Sequence, residues 1–238
     1  MLQLKTVAEK LLEFQLKKFI AISILEVILA VFVLSACAAP PAGSAEWYYQ
    51  RAYALAQQGH TQEAIDTYSK AIEIEPSMAK LYVNRAALYA NQGKYALVIT
   101  DCTRAIEINP KLTLAYINRA FAYNSIGEYE KAIDDCNSAI ATGENMAEAY
   151  VNRAYSYLQM KDYTHAIADC TEAIELNPNL VQAYYHRGFA LEALGKNDEA
   201  LQDLRTYVGM SNDTVLIEKA KQEIDKIKNS ELNATTPK

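Results

Sequence analysis

From Ala45 onward the chain repeats itself every 34 residues. A self-similar period of that length dictates stacked supersecondary units rather than a globule around one unique core. The segments YVNRAALYANQGKYALVITDCTRAIEINP (82–110), YINRAFAYNSIGEYEKAIDDCNSAIATGE (116–144) and YVNRAYSYLQMKDYTHAIADCTEAIELNP (150–178) align without a gap. Five units follow, at 45–78, 79–112, 113–146, 147–180 and 181–214. Cys102, Cys136 and Cys170 keep the same 34-residue step. Each therefore holds the same place in its unit, which argues against a disulfide framework and for small buried hydrophobes.

Spacing inside a unit fixes its local structure. Tyr82, Arg85, Ala86 and Tyr89 fall at helical intervals along one face. Ala86, Ala120, Ala154 and Gly188 share one position, and Ala64, Ala132, Ala166 and Ala200 share another, with Val98 in the second unit. Small side chains at both places let two helices approach closely. Gly59, Gly93, Gly127 and Gly195 lie between those helices, where a left-handed turn suits glycine. Lys161 stands there in the fourth unit and predicts a less comfortable turn. Pro76, Pro110 and Pro178 end the second helices, and Gly143-Glu144 replaces the motif in the third unit, whose exit is expected to differ.

This pattern resembles the tetratricopeptide repeat, over roughly 170 residues. The resemblance implies an all-α fold, an α-solenoid of about five helix-turn-helix hairpins. Terminal units of such arrays need a polar cover. Residues 215–232, with Ile217, Ala220, Ile224 and Ile227 on one side, read as a capping helix, and 233–238 as a disordered tail.

Repetition speaks against catalysis, because an active site needs a unique convergence of unlike groups. His60, His165 and His186 sit at different places in their units, and no phosphate loop or zinc-protease signature occurs. No catalytic, cofactor-binding or metal-ligating residue is expected, nor a small-molecule substrate. The repeated Arg51, Arg85, Arg119, Arg153 and Arg187 and the repeated Asp101, Asp135, Asp169 and Asp203 read as an ion-pair ladder inside the array. The net charge of −6, without a basic run, argues against nucleic acid as a partner.

In tetratricopeptide arrays the first helices line a concave groove for a protein or peptide partner. Carried over by position, the resemblance implies a lining of Tyr49, Tyr53, Val83, Ile117, Phe121, Val151, Tyr155, Tyr185 and Phe189. Tyrosine suits such a surface, joining a large contact area to a polar tip. Asn84, Asn118 and Asn152 form a row able to pair with a peptide backbone or with the adjacent unit. The family's carboxylate clamp finds little match, since Tyr49, Tyr53, Leu114 and Asn118 occupy its charged and amide positions and only Asn84 agrees.

The first 36 residues read as an address. Lys17-Lys18 precede an apolar run from Phe19 to Ala36, broken by Glu26, and Leu34-Ser35-Ala36-Cys37 resembles the bacterial lipobox. That resemblance implies cleavage before Cys37, acylation of Cys37 as the new N-terminus by palmitate-type chains, and a flexible tether over 37–44. Two other readings stay open: residues 19–36 as a retained anchor helix, and export after cleavage at Ala36-Cys37-Ala38. The expectation is an exported adaptor or scaffold on a cell-envelope membrane, alternatively an assembly factor for an outer-membrane or pilus-type complex.

Overall fold

The computed structural model describes residues 40–144 and 146–235. The leader and Cys37 lie outside the described residues. The chain divides into two compact units, Met1–Trp47 and Tyr48–Lys238; of the first only residues 40–47 are described.

Eleven helices and no strand occur among the described residues. They are α1 (Ala45–Gln57), α2 (Thr61–Ile74), α3 (Ala79–Asn91), α4 (Tyr95–Ile108), α5 (Thr113–Ser125), α6 (Tyr129–Thr142), α7 (Met146–Gln159), α8 (Tyr163–Leu176), α9 (Val181–Ala193), α10 (Asn197–Met210) and α11 (Thr214–Thr235). From α3 to α10 consecutive helices pair as hairpins, each second helix packs on the next first helix, and α3, α5, α7 and α9 also touch in sequence. The second unit is thus an α-solenoid with its first helices side by side. None of the described helices is long and apolar enough to cross a membrane.

The crossings are built from small residues, as the sequence demands. Ala86 meets Val98 and Cys102, Ala120 meets Ala132 and Cys136, and Ala154 meets Cys170, all of them fully buried. A Cβ on Gly188 would lie 2.9 Å from Leu204 Cγ, so the last hairpin leaves no room for one without a shift. The three cysteines are free thiols, and burial pushes Cys102 and Cys136 up to about 12 and Cys170 upward likewise. They are inert packing groups.

An arginine clamp stitches each unit to the one before it. The guanidiniums of Arg85, Arg119, Arg153 and Arg187 each donate through Nε and Nη2 to both oxygens of Asp101, Asp135, Asp169 and Asp203, at 2.7–2.9 Å. Nη1 then crosses to the preceding second helix and donates to Ser69, Thr103, Asn137 or Thr171. Every guanidinium also lies 5.3–6.0 Å from the ring of the tyrosine three residues earlier. The bonds to aspartate raise the basicity of all four arginines, which stay charged. In the first repeat, Thr67 stands in the register that Asp101 holds in the second.

Departures from the repeat show at its turns. Lys161 adopts φ 64°, alongside glycines at φ 69–83° in the sibling turns. Tyr82, Tyr116 and Tyr184 donate their hydroxyls to the carbonyls of Pro76, Pro110 and Pro178 at 3.1–3.3 Å. The third unit lacks that proline. It exits through left-handed Gly143, and the hydroxyls of Thr113 and Thr142 close the corner at 2.6 Å. At the C-terminus, Ala220, Ile224 and Ile227 of α11 are buried in the cluster around Leu204 and Tyr207. The helix continues to Thr235, beyond Leu232 and into the stretch expected to be disordered. No helix breaker intervenes before Pro237.

Candidate functional site

A cleft of about 480 Å³ opens on the first-helix face of the last three units. Phe121 and Asn124 come to it from α5, Val151, Asn152 and Tyr155 from α7, and His186 from α9. Leu180 at the N-cap of α9 and Leu216 of α11 complete its apolar wall, so the capping helix is part of the site. Ser125, Glu148 and Gln182 supply the polar lining.

Helical spacing explains the placement. Asn152 and Tyr155 are three residues apart on α7, with Glu148 one turn earlier, so all three project to one side. Phe121 is 43% exposed, its ring centroid 6.1 Å from that of Tyr95 in an edge-to-face arrangement. The Tyr155 ring lies 5.4 Å from the His186 ring, and burial pushes its phenol up.

Two polar features sit beneath this wall. Ser156, fully buried, donates to Asn124 Oδ1 at 2.7 Å, and Asn124 Nδ2 donates to the Asn152 carbonyl at 2.9 Å. That network joins the third and fourth units. His186 Nδ1 is buried without any hydrogen-bond partner, and burial pushes the imidazole down to about 4. The ring is therefore neutral near pH 7. Among the described residues no group of three His, Cys, Asp or Glu is placed to hold a metal ion.

Family models match the chain across this architecture. The description "Tetratricopeptide repeat" fits residues 79–112 and 147–180 in one model and 102–134 and 170–202 in another, and "TPR repeat" fits 52–93. Together they reach over more than half of the sequence. The chain is a tetratricopeptide repeat (TPR) protein.

Solved structures place the TPR protein among others of its fold. MamA protein superposes with a TM-score of 0.61 at 23% identity, covering 70% of this chain and 91% of that one. Yeast Tom70 gives 0.66 at 17% identity, over 82% of this chain and 42% of Tom70. YrrB, a TPR protein with an unusual peptide-binding site, gives 0.59 at 19% identity, over 76% and 94%. At such identities the likeness is one of fold. The curated proteins contain no match to this chain.

The residues assigned to the groove from sequence are distributed unevenly in the TPR protein. Phe121, Val151, Asn152 and Tyr155 meet in the cleft. Val83 and Ile117 do not line an open surface; they are 6% and 8% exposed and belong to clusters with Ala105 and Ala115, and with Ala139 and Ala149. Val151 shares their register and is packed in the same way, with Ala173 and Ala183 at 9% exposure, and differs in bordering the cleft. Tyr185 and Phe189 pack on the buried cluster beneath the cap, with Tyr185 4.9 Å from Tyr207. Tyr49 packs 6.2 Å from Tyr68 at the other end, while Tyr53 is 49% exposed. Asn84 turns its amide onto its own helix, donating to the Lys80 carbonyl at 2.9 Å. Asn118 is half-buried on α5. Asn124, Ser125, Glu148, Leu180, Gln182, His186 and Leu216 were not assigned to the groove from sequence, and a signal for some of them existed in the repeat itself. Asn124 stands where its siblings carry Ala56, Ala90, Leu158 and Glu192, and His186 where they carry Gln50, Asn84, Asn118 and Asn152.

Proposed function

We propose that this TPR protein is a membrane-tethered adaptor that performs no chemistry of its own and holds a peptide or helical segment of a partner protein against its first helices. The observation that carries the reading is the cleft formed jointly by α5, α7, α9 and α11, with an exposed aromatic at its mouth and polar groups in its wall. Such a surface offers apolar anchoring and fixed hydrogen-bonding directions together. A structural neighbour with a peptide-binding site, YrrB, lends support at the level of fold.

The tether is a separate part of the reading and rests on Leu34-Ser35-Ala36-Cys37. Two or more acyl chains on Cys37 would give stable attachment, whereas one would be marginal. Metabolic labelling with a clickable palmitate analogue is expected to mark the wild type and leave Cys37→Ala unmarked. Labelling of both, or of neither, would remove the lipid anchor.

For the groove, a pull-down from solubilised membranes compares the wild type with Phe121→Ala/Tyr155→Ala. The double variant, checked for its helical melting transition, is expected to lose a specific envelope partner. Retention of the same partners would place recognition elsewhere on the array.

A further inference from the structure

All five hairpin turns are closed by the same bond, 2.8–2.9 Å from the amide that starts the second helix back to the first helix. One step before the left-handed residue stands a tip residue. It is Gln58 or Gln92 in the first two units, but Ile126, Met160 or Leu194 in the last three. The backbone accepts either type, since Gln92 (φ −94°, ψ 1°) and Ile126 (φ −105°, ψ 5°) share one conformation. Stacking therefore does not ask for an apolar tip, and these three are 50%, 44% and 46% exposed. The first helices α5, α7 and α9 touch in sequence, and helices so packed lie about 8–10 Å apart. The tips thus form a row about 20 Å long on one edge of the array.

Along that row the charge of the turns changes sign. Glu128 stands by Ile126, Lys161 and Asp162 by Met160, and Lys196 by Leu194. Glu128, Asp162 and Lys196 pair within their own turns with Lys131, His165 and Glu199, at 3.0, 2.7 and 3.8 Å. Exposed pairs of this kind are worth little and exchange readily. Glu130 and Asp198 lie in the first turns of α6 and α10, where the helix dipole accounts for a carboxylate.

We propose that this edge is a contact between two copies of the chain, antiparallel about a two-fold axis at Met160. Turned end for end, the row lays Ile126 on Leu194 and Glu128 on Lys196 of the other copy. Met160 and the Lys161–Asp162 pair then meet their own counterparts. Apolar meets apolar and carboxylate meets ammonium, the self-complementarity that an isologous contact requires. Methionine suits the axis, because its flexible side chain adapts to its own copy. A lipid surface matches less well, since Glu128, Glu130, Asp162 and Asp198 stand among the tips. Three turns make a small contact, so association is weak in solution. The inference does not depend on what the cleft holds.

Sedimentation equilibrium of the full chain between about 1 and 100 µM, the range such a contact calls for, should show a concentration-dependent dimer. Ile126→Gln/Met160→Gln/Leu194→Gln installs the residue that the first two units already carry, so it should fold as the wild type and remain monomeric. Glu128→Lys should weaken the dimer roughly tenfold or more, and Glu128→Lys/Lys196→Glu should restore it. Oxidative crosslinking reads the register, with the wild type as blank because Cys102, Cys136 and Cys170 are buried. Met160→Cys should link to itself, and Ile126→Cys should link to Leu194→Cys faster than to itself. A wild type that stays monomeric, a dimer untouched by the triple glutamine variant, or self-linking of Ile126→Cys at the mixed rate overturns the proposal. Flotation with phosphatidylcholine–phosphatidylglycerol vesicles covers the lipid alternative. A monomeric wild type whose vesicle binding is lost in the triple variant would make the edge a membrane contact and overturn the dimer.

Discussion

Replacing Asp135 by alanine isolates what the arginine clamp contributes to the solenoid. Asp135 accepts two bonds from Arg119, at 2.8 and 2.7 Å, and the side chains of the pair are only 7% and 17% exposed. Without the carboxylate, the guanidinium keeps a single bond, 2.9 Å to Thr103 on the preceding unit. Removing one member of a buried pair leaves an uncompensated charge and costs about 3–5 kcal/mol. Arg119→Met/Asp135→Leu should recover most of that loss, because desolvating both ions offsets much of their attraction. Urea titration followed by far-ultraviolet circular dichroism reads both variants, and the loss should appear as an earlier transition. The exposed pair Arg104–Glu107, at 51% and 58%, is the internal contrast, and Glu107→Ala should have no measurable effect. An Asp135→Ala variant no less stable than Glu107→Ala would refute the claim that these clamps are desolvated couplings between units.

Further perturbations follow from the departures in the array. Lys161→Gly relieves a left-handed turn and should stabilise the protein by about 1 kcal/mol in a thermal melt, since L-residues meet a Cβ clash there; an unchanged or lowered melting temperature would contradict it. Gly188→Ala drives a Cβ to 2.9 Å from a fully buried Leu204, so overpacking of about 1–3 kcal/mol should outweigh a helix-propensity gain of up to about 1 kcal/mol. A stabilised variant would show that α9 and α10 are not so closely apposed. His186, at about 4 when folded against 6.5 for the free side chain, binds fewer protons in the native state between those values. Its stabilising contribution is complete above pH 6.5 and is lost as pH falls towards 4, by at most about 3 kcal/mol. The wild type should therefore lose more stability over that interval than His186→Phe; equal slopes would mean that the imidazole is solvated.

The repeat made the fold legible because it states the same physics five times. Small residues at two fixed registers gave the crossings, and the turn glycines gave the hairpins, down to the strained exception at Lys161. The arginine–aspartate row was visible too, but its second half was not. The bond from Nη1 to Ser69, Thr103, Asn137 or Thr171 uses a polar position with no fixed identity. The site was harder to read for a related reason. Equivalence by register assigns the same role to Val83, Ile117 and Val151, yet only Val151 borders the cleft, since only there do Leu180, Leu216 and His186 close around it. Leu216 arrives from a helix outside the repeat, and no periodicity links it to Phe121. What marked the site was the breaking of the pattern, at Asn124, Ser156 and His186, rather than the pattern itself.

Placing a photoactivatable amino acid at Tyr155, within the cleft, and separately at Asp134, exposed on the second helix α6, tests most directly whether the first-helix face is where a partner sits. Irradiation of intact membranes should join a distinct partner protein covalently to the Tyr155 probe and leave the Asp134 probe unlinked. An adduct at Asp134 with none at Tyr155 would contradict a groove-bound partner.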